Sequence, residues 1–218
     1  MTIEEAEDLC KMVNYNYRPE TREELEDLIE ELIKERGIEA DLNDVDVSLI
    51  TDMKKLFMNS PFNGDISKWN VSKVEDMCGM FAKSKFNGDI SKWNVSKVED
   101  MYGMFASSEF NGNIAKWDVR KVKEMNSMFS YSKFNGDISE WGVSGVVDME
   151  LMFAWSQFNG DISSWDVSNV KNMSSMFYRS QFNGDISNWD VSGVEEMNYM
   201  FWNSKFDGDL SKWVKKPK

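Results

Sequence analysis

Large apolar side chains return along this chain at a fixed step. Phe62 is followed by Phe86, Phe110, Phe134, Phe158, Phe182 and Phe206, always 24 residues apart. Trp69, Trp93, Trp117, Trp141, Trp165, Trp189 and Trp213 keep the same step, as do the columns of Ile66, Val71, Val74, Met77, Met80 and Phe81. Residues 62–205 hold six full units. A partial unit follows over 206–213, and a degenerate first unit over 38–61 keeps the apolar phase without the Trp or the Asn-Gly pair. A period kept without one insertion implies like coils stacked in register, each burying its apolar side against its neighbours.

Within a unit, residues 65–71 predict short β-type segments that turn Ile66, Trp69 and Val71 inward. Val74, Met77, Met80 and Phe81 fall at i, i+3, i+6 and i+7, the cadence of a helical face. A β segment followed by a helical turn predicts an α/β fold: a leucine-rich-repeat-like solenoid of about seven coils. Residues 1–37 have a different pattern. Thr2 with Glu5 and Thr21 with Glu24 match capping boxes, and residues 14–19 read as a loop between them. Leu25, Leu28, Ile29, Leu32 and Ile33 make one apolar face ahead of Gly37, a good helix terminator. Residues 1–37 are therefore expected to form a helical cap on the end of the solenoid 38–213, with 214–218 a basic tail.

Composition removes chemistry. The chain has no histidine, so a Ser–His or Cys–His nucleophile, a His metal ligand and an imidazole switch are all excluded. Its two cysteines, Cys10 and Cys78, cannot build a disulfide scaffold and read as free thiols. The column of Cys78 continues as Tyr102, Asn126, Glu150, Ser174 and Asn198, and that variability reads as solvent-facing. A net charge of −13 argues against direct binding of nucleic acid or an anionic membrane. No apolar run approaches the roughly 18 residues of a membrane span. The acidic residues 1–8 lack the layout of a signal peptide, so the expected compartment is the cytoplasm. Carboxylate-only glycosidase chemistry needs two differently tuned acids, which identical repeated aspartates do not supply. The chain is therefore expected not to be an enzyme, with no catalytic, cofactor-binding or metal residue.

The strings Phe-Asn-Gly-Asp-Ile-Ser-x-Trp-Asp-Val-Ser-x-Val and Met-x-x-Met-Phe resemble those of the BspA-like leucine-rich-repeat surface proteins, over about residues 38–213. That resemblance implies a leucine-rich-repeat-like fold, a binding or adhesion role in bacteria, their phages or related systems, and a place on the surface. It transfers no catalytic residue. The export signal and wall anchor of surface members are not evident.

The polar columns read as turn chemistry. Gly64 and its copies follow Asn and suggest a positive φ, which glycine accepts without strain. The Asp column (Asp65, Asp89, Asp137, Asp161, Asp185 and Asp209, with Asn113 interposed) could form a calcium ladder. It is better read as bonding local backbone N–H groups, because Asn113 keeps the acceptor and drops the charge. The repeated serines read as turn caps.

Columns that change from coil to coil can hold specificity. One reads Lys83, Ser107, Tyr131, Trp155, Arg179, Asn203, and the one before it ends in Tyr178 and Trp202. Tyr131, Trp155, Tyr178, Arg179 and Trp202 are the expected partner-binding residues, of the types that dominate interface hot spots, with Arg179 stacked on Trp155. The competing reading is that they only cover this side of the coils, or that Trp202 seals the C-terminal end. The main expectation is thus a non-enzymatic module that recognises a protein partner. Residues 1–61 carry −10 of the net −13. The alternative is therefore an acidic decoy inhibitor, phage-encoded, of a nucleic-acid-binding protein such as a host defence nuclease. The seventh unit stops short of its second half, which suggests self-association through the C-terminal end.

Overall fold

The computed structural model describes residues 15–214 and Pro217, so the capping box at Thr2 and the thiol of Cys10 lie outside the described residues. The 24-residue units do stack coil on coil. Phe57, Phe81 and Phe105 lie in one column with ring centroids 5.5 and 5.7 Å apart. Trp69 and Trp93 stack at 6.4 Å. Each apolar column named above is buried through the interior coils.

The α/β leucine-rich-repeat expectation is overturned. Among the described residues there is one α-helix, α1 (Arg22–Arg36), and strand pairing is limited to isolated single-residue bridges. The routing of backbone hydrogen bonds shows why. Met80, Ala82 and Ser84 N–H donate within their own coil, to the oxygens of Met77, Gly79 and Phe81 at 3.1, 3.0 and 3.2 Å. The residues between them donate outward. Met77, Gly79, Phe81 and Lys83 N–H reach the oxygens of Asp100, Tyr102, Met104 and Ala106 on the next coil, at 2.7–3.0 Å. A helix needs every N–H to turn back four residues, and a strand sends its N–H groups to neighbouring strands rather than back into its own segment. Alternation satisfies neither. The expected helical half is a chain of three-residue turns, and the i, i+3, i+6 apolar cadence belongs to those turns. Gly79 and Lys83 sit at φ 61° and 56°, the positive value that a type II turn places at its third residue.

The remaining turns are closed by side chains, as the sequence suggests. Oδ1 of Asp65, Asp89, Asp137, Asp161, Asp185, Asp209 and Asn113 each accepts from the backbone N–H two residues on, at 2.8–3.1 Å. The Asn column links coils: Asn63 Oδ1 accepts from Asn87 N–H at 2.7 Å, and the pattern continues down the stack. The ladder glycines are a correction. Only Gly37, Gly79 and Gly103 have positive φ among the described glycines. Gly64 and its copies answer to close approach instead. A Cβ on Gly64 would stand 2.0 Å from Ala40 O, and one on Gly88 would stand 2.9 Å from the Phe86 ring and 3.2 Å from Gly64 O.

The two ends differ. At the N-terminal end, Thr21 Oγ1 accepts from Glu24 N–H at 3.2 Å and starts α1, while Gly37 N–H closes it on Ile33 O. Leu25, Ile29 and Leu32 are buried against the first coil. Arg22 Nη2 donates to Lys54 O at 2.7 Å, satisfying a carbonyl that has no preceding coil. Pro61 stands where Lys85 donates its N–H to the coil before it; proline has no such donor to strand. At the other end, Met197, Tyr199, Phe201 and Asn203 are the register equivalents of Met77, Gly79, Phe81 and Lys83. Their N–H groups have no hydrogen-bond partner among the described residues. Among the described residues no helix is long and apolar enough to cross a membrane.

Candidate functional site

The five residues singled out from the sequence lie together on one side of the stack. Tyr131 stacks on Trp155 with centroids 5.4 Å apart and planes 14° apart. Trp155 meets Tyr178 at 6.1 Å, tilted by 54°. Tyr178 stacks on Trp202 at 5.0 Å. The Arg179 guanidinium carbon lies 4.5 Å from the Trp155 centroid and 5.1 Å from that of Trp202. Tyr131, Trp155 and Trp202 are 58, 40 and 48% exposed, so their rings form a wet surface rather than a core or a seal. Such an exposed run of large aromatics with arginine suits contact with a partner.

The backbone beneath the strip is strained. Tyr131, Trp155 and Arg179 have φ of 57°, 58° and 53°. The left-handed region costs a residue with a Cβ roughly 1–2 kcal/mol, which glycine does not incur. The coil demands this conformation in every unit, and the companion column twice fills it with glycine, at Gly79 and Gly103. Nothing in the backbone favours Tyr, Trp or Arg there.

A groove of about 390 Å³ adjoins the strip, lined by Ser130, Tyr131, Leu151, Trp155, Ser175 and Tyr178. Sequence reasoning missed Ser130, Leu151 and Ser175. Leu151 and Ser175 belong to a second column at positive φ, whose members run Lys55, Gly79, Gly103, Ser127, Leu151, Ser175 and Tyr199. Its variability was the available signal. Tyr199, 60% exposed, was missed for the same reason.

A second feature is an acidic column. Asp52, Asp76, Asp100, Glu124, Asp148, Asn172 and Glu196 form the single-residue bridges from coil to coil. Burial, then Asp148 and Asp100, push the Glu124 carboxyl above its ordinary range. Cys78 corrects the solvent-facing expectation: it is 6% exposed. Burial first, then Asp100, push its thiol up, which keeps it protonated. The ligand atoms of Asp76, Cys78 and Asp100 approach within 4.8 Å, but Asp76 Oδ1 already accepts from Cys78 N–H at 2.7 Å. Three donors with a protonated thiol fall short of the 6–8 oxygens of calcium. The Asp137, Asp161 and Asp185 carboxyls are held below the usual range, by the backbone N–H and then the hydroxyl of Ser139, Ser163 and Ser187.

One family model matches the chain twice, over residues 26–141 and 130–217; its description is Mycoplasma protein of unknown function, DUF285. No curated protein and no solved structure matches.

Proposed function

We propose that this chain, which belongs to the DUF285 family of repeat-containing proteins, is a non-enzymatic module that recognises a protein partner through the variable columns of its coils. Tyr131, Trp155, Tyr178, Arg179 and Trp202 make the contact. One observation carries the reading. Three of these residues, Tyr131, Trp155 and Arg179, stand at left-handed backbone positions and stack on one another, with both rings exposed, where the coil itself would be better served by glycine. The regular columns hold the strip rigid, so little ordering entropy is lost when a partner docks. Within this reading, the resemblance to the BspA-like surface proteins adds an adhesive role outside the cell.

The experiment is capture of partner from the native host by the wild-type chain and by a Tyr131→Ser, Trp155→Ser, Arg179→Ser variant of unchanged circular dichroism. The variant should capture nothing. Undiminished capture would remove the strip from the mechanism.

The acidic column supports a second reading, the decoy that occupies a nucleic-acid groove. Its carboxylates, interrupted once by Asn172, present negative charge at the spacing of the coils. Salt separates the two. A decoy loses its partner steeply between low and moderate salt, whereas contact through aromatic rings changes little.

A further inference from the structure

Arg179 is the member of the strip whose chemistry the stack leaves unused. Arg22, Arg36 and Arg120 each hold a carboxylate of this chain, on Glu26, Asp44 and Asp118. Arg179 holds none among the described residues, although the sequence carries 38 acidic side chains. Its Nε is buried and has no hydrogen-bond partner. Trp155 and Trp202 flank its guanidinium at 4.5 and 5.1 Å. A guanidinium held between rings keeps its plane, and its donors form a fork that fits the two oxygens of one carboxylate.

Trp155 and Tyr178 border both this guanidinium and the groove that Tyr131 and Leu151 complete. A ligand spanning the two places needs a carboxylate with an apolar side chain close beside it. The rings also narrow the class of ligand. Tyr131 lies flat on Trp155, and Tyr178 flat on Trp202, each pair within 14° of parallel. Each pair covers one face of both its rings and Arg179 lies over Trp155, Tyr178 and Trp202, so a sugar, which must lie across an open ring face, is offered chiefly the outer face of Tyr131.

We propose that Arg179, clamped by Trp155 and Trp202, is a carboxylate receptor, and that the strip takes a polypeptide segment in which an acidic group neighbours an apolar or aromatic side chain. The inference rests on the strip being the recognition surface and adds what it recognises. Aspartate, glutamate or a chain terminus could each supply the carboxylate. The chain's own net charge of −13 repels an acidic ligand at long range. Recognition therefore depends on the local fork and the groove rather than on steering.

The test selects short random peptides, displayed on phage, against the full chain. One library is tethered at the peptide C-terminus and so offers only side-chain carboxylates. The other ends in a free C-terminus. Enriched peptides should carry an acidic group beside a Leu, Phe, Tyr or Trp, and the library that yields them names the source. Replacing that carboxylate by its amide should weaken binding to the wild type roughly 10- to 100-fold and leave binding to Arg179→Gln unchanged. Arg179→Lys keeps the charge without the planar fork and should behave like Arg179→Gln. If peptides that need Tyr131 and Trp155 carry no acidic group, or ignore Arg179→Gln, the carboxylate receptor is wrong while the interaction surface stands. If every enriched peptide binds the triple serine variant as well as the wild type, both fall together.

Discussion

Trp141 and Trp155 belong to the same coil and lead opposite lives. Trp141 is 3% exposed, and its indole N–H donates to Ile114 O at 3.1 Å. Every other Trp of its column repeats that bond to the carbonyl 27 residues back. Trp155 is 40% exposed, its φ is 58°, and it stacks on Tyr131 and under Arg179. Among the described residues no group accepts from its indole N–H. The same side chain is scaffold where the column repeats and surface where the column varies. A buried indole must find an acceptor and close neighbours, and only the repeating column provides both in each coil. An exposed indole can leave its N–H to water, so its place needs another reason.

The largest test of this contrast is stability. Trp141→Ala should cost about 3–5 kcal/mol, read from denaturant unfolding, because it opens the core beside Phe129 and leaves Ile114 O without its donor. Trp155→Ala should cost less than about 1 kcal/mol. Equal losses would make the strip a piece of the scaffold.

A smaller effect separates space from backbone conformation. Gly136→Ala should destabilise by about 1–3 kcal/mol, since its Cβ would meet the Phe134 ring at 2.9 Å. At position 155 glycine should also be favoured, for a different cause. Trp155→Gly should be more stable than Trp155→Ala by roughly 1 kcal/mol, because alanine retains the positive φ strain. If the two variants melt together, the strip is unstrained and the argument from backbone conformation fails.

The smallest effect concerns acid. Asp137, Asp161 and Asp185 have folded pKa values below the unfolded one. Their contribution is complete above the unfolded value of about 4 and fades as pH falls through the folded values. Glu124 is shifted the other way. It favours folding most when protonated, and that advantage is lost as pH rises through its folded value. Melting temperatures between about pH 7 and pH 3 should show Glu124→Gln raising stability at neutral pH, with the gain shrinking in acid. Asp137→Asn should lose a little stability at neutral pH and none in acid, since Asn113 makes the same backbone bond in its coil without the charge. A gain from Glu124→Gln that grew in acid would contradict the assignment.

Much of the site was legible in the chain. The contrast between repeating and changing columns placed Tyr131, Trp155, Tyr178, Arg179 and Trp202 side by side, and the cation over Trp155 followed from their register. The groove was not legible. Leu151 and Ser175 reach it because a positive φ turns their column toward Tyr131, and no residue type announces that in a column holding Lys, Gly, Ser, Leu and Tyr. Cys78 misled for a related reason. Its neighbours in the column are larger or more polar, and its own burial is set by packing between coils.

The sequence by itself determined the register: which positions face inward, where the coils repeat, and where α1 begins at Thr21 and ends at Gly37. These follow from side-chain chemistry carried by each residue. The tertiary structure decided what the coils are made of. A cadence of three apolar steps fits a helical turn and a three-residue turn equally well. The choice between them lies in where each N–H finds its acceptor. For Met77, Gly79, Phe81 and Lys83 that acceptor is on the next coil, so it exists only once the stack has formed.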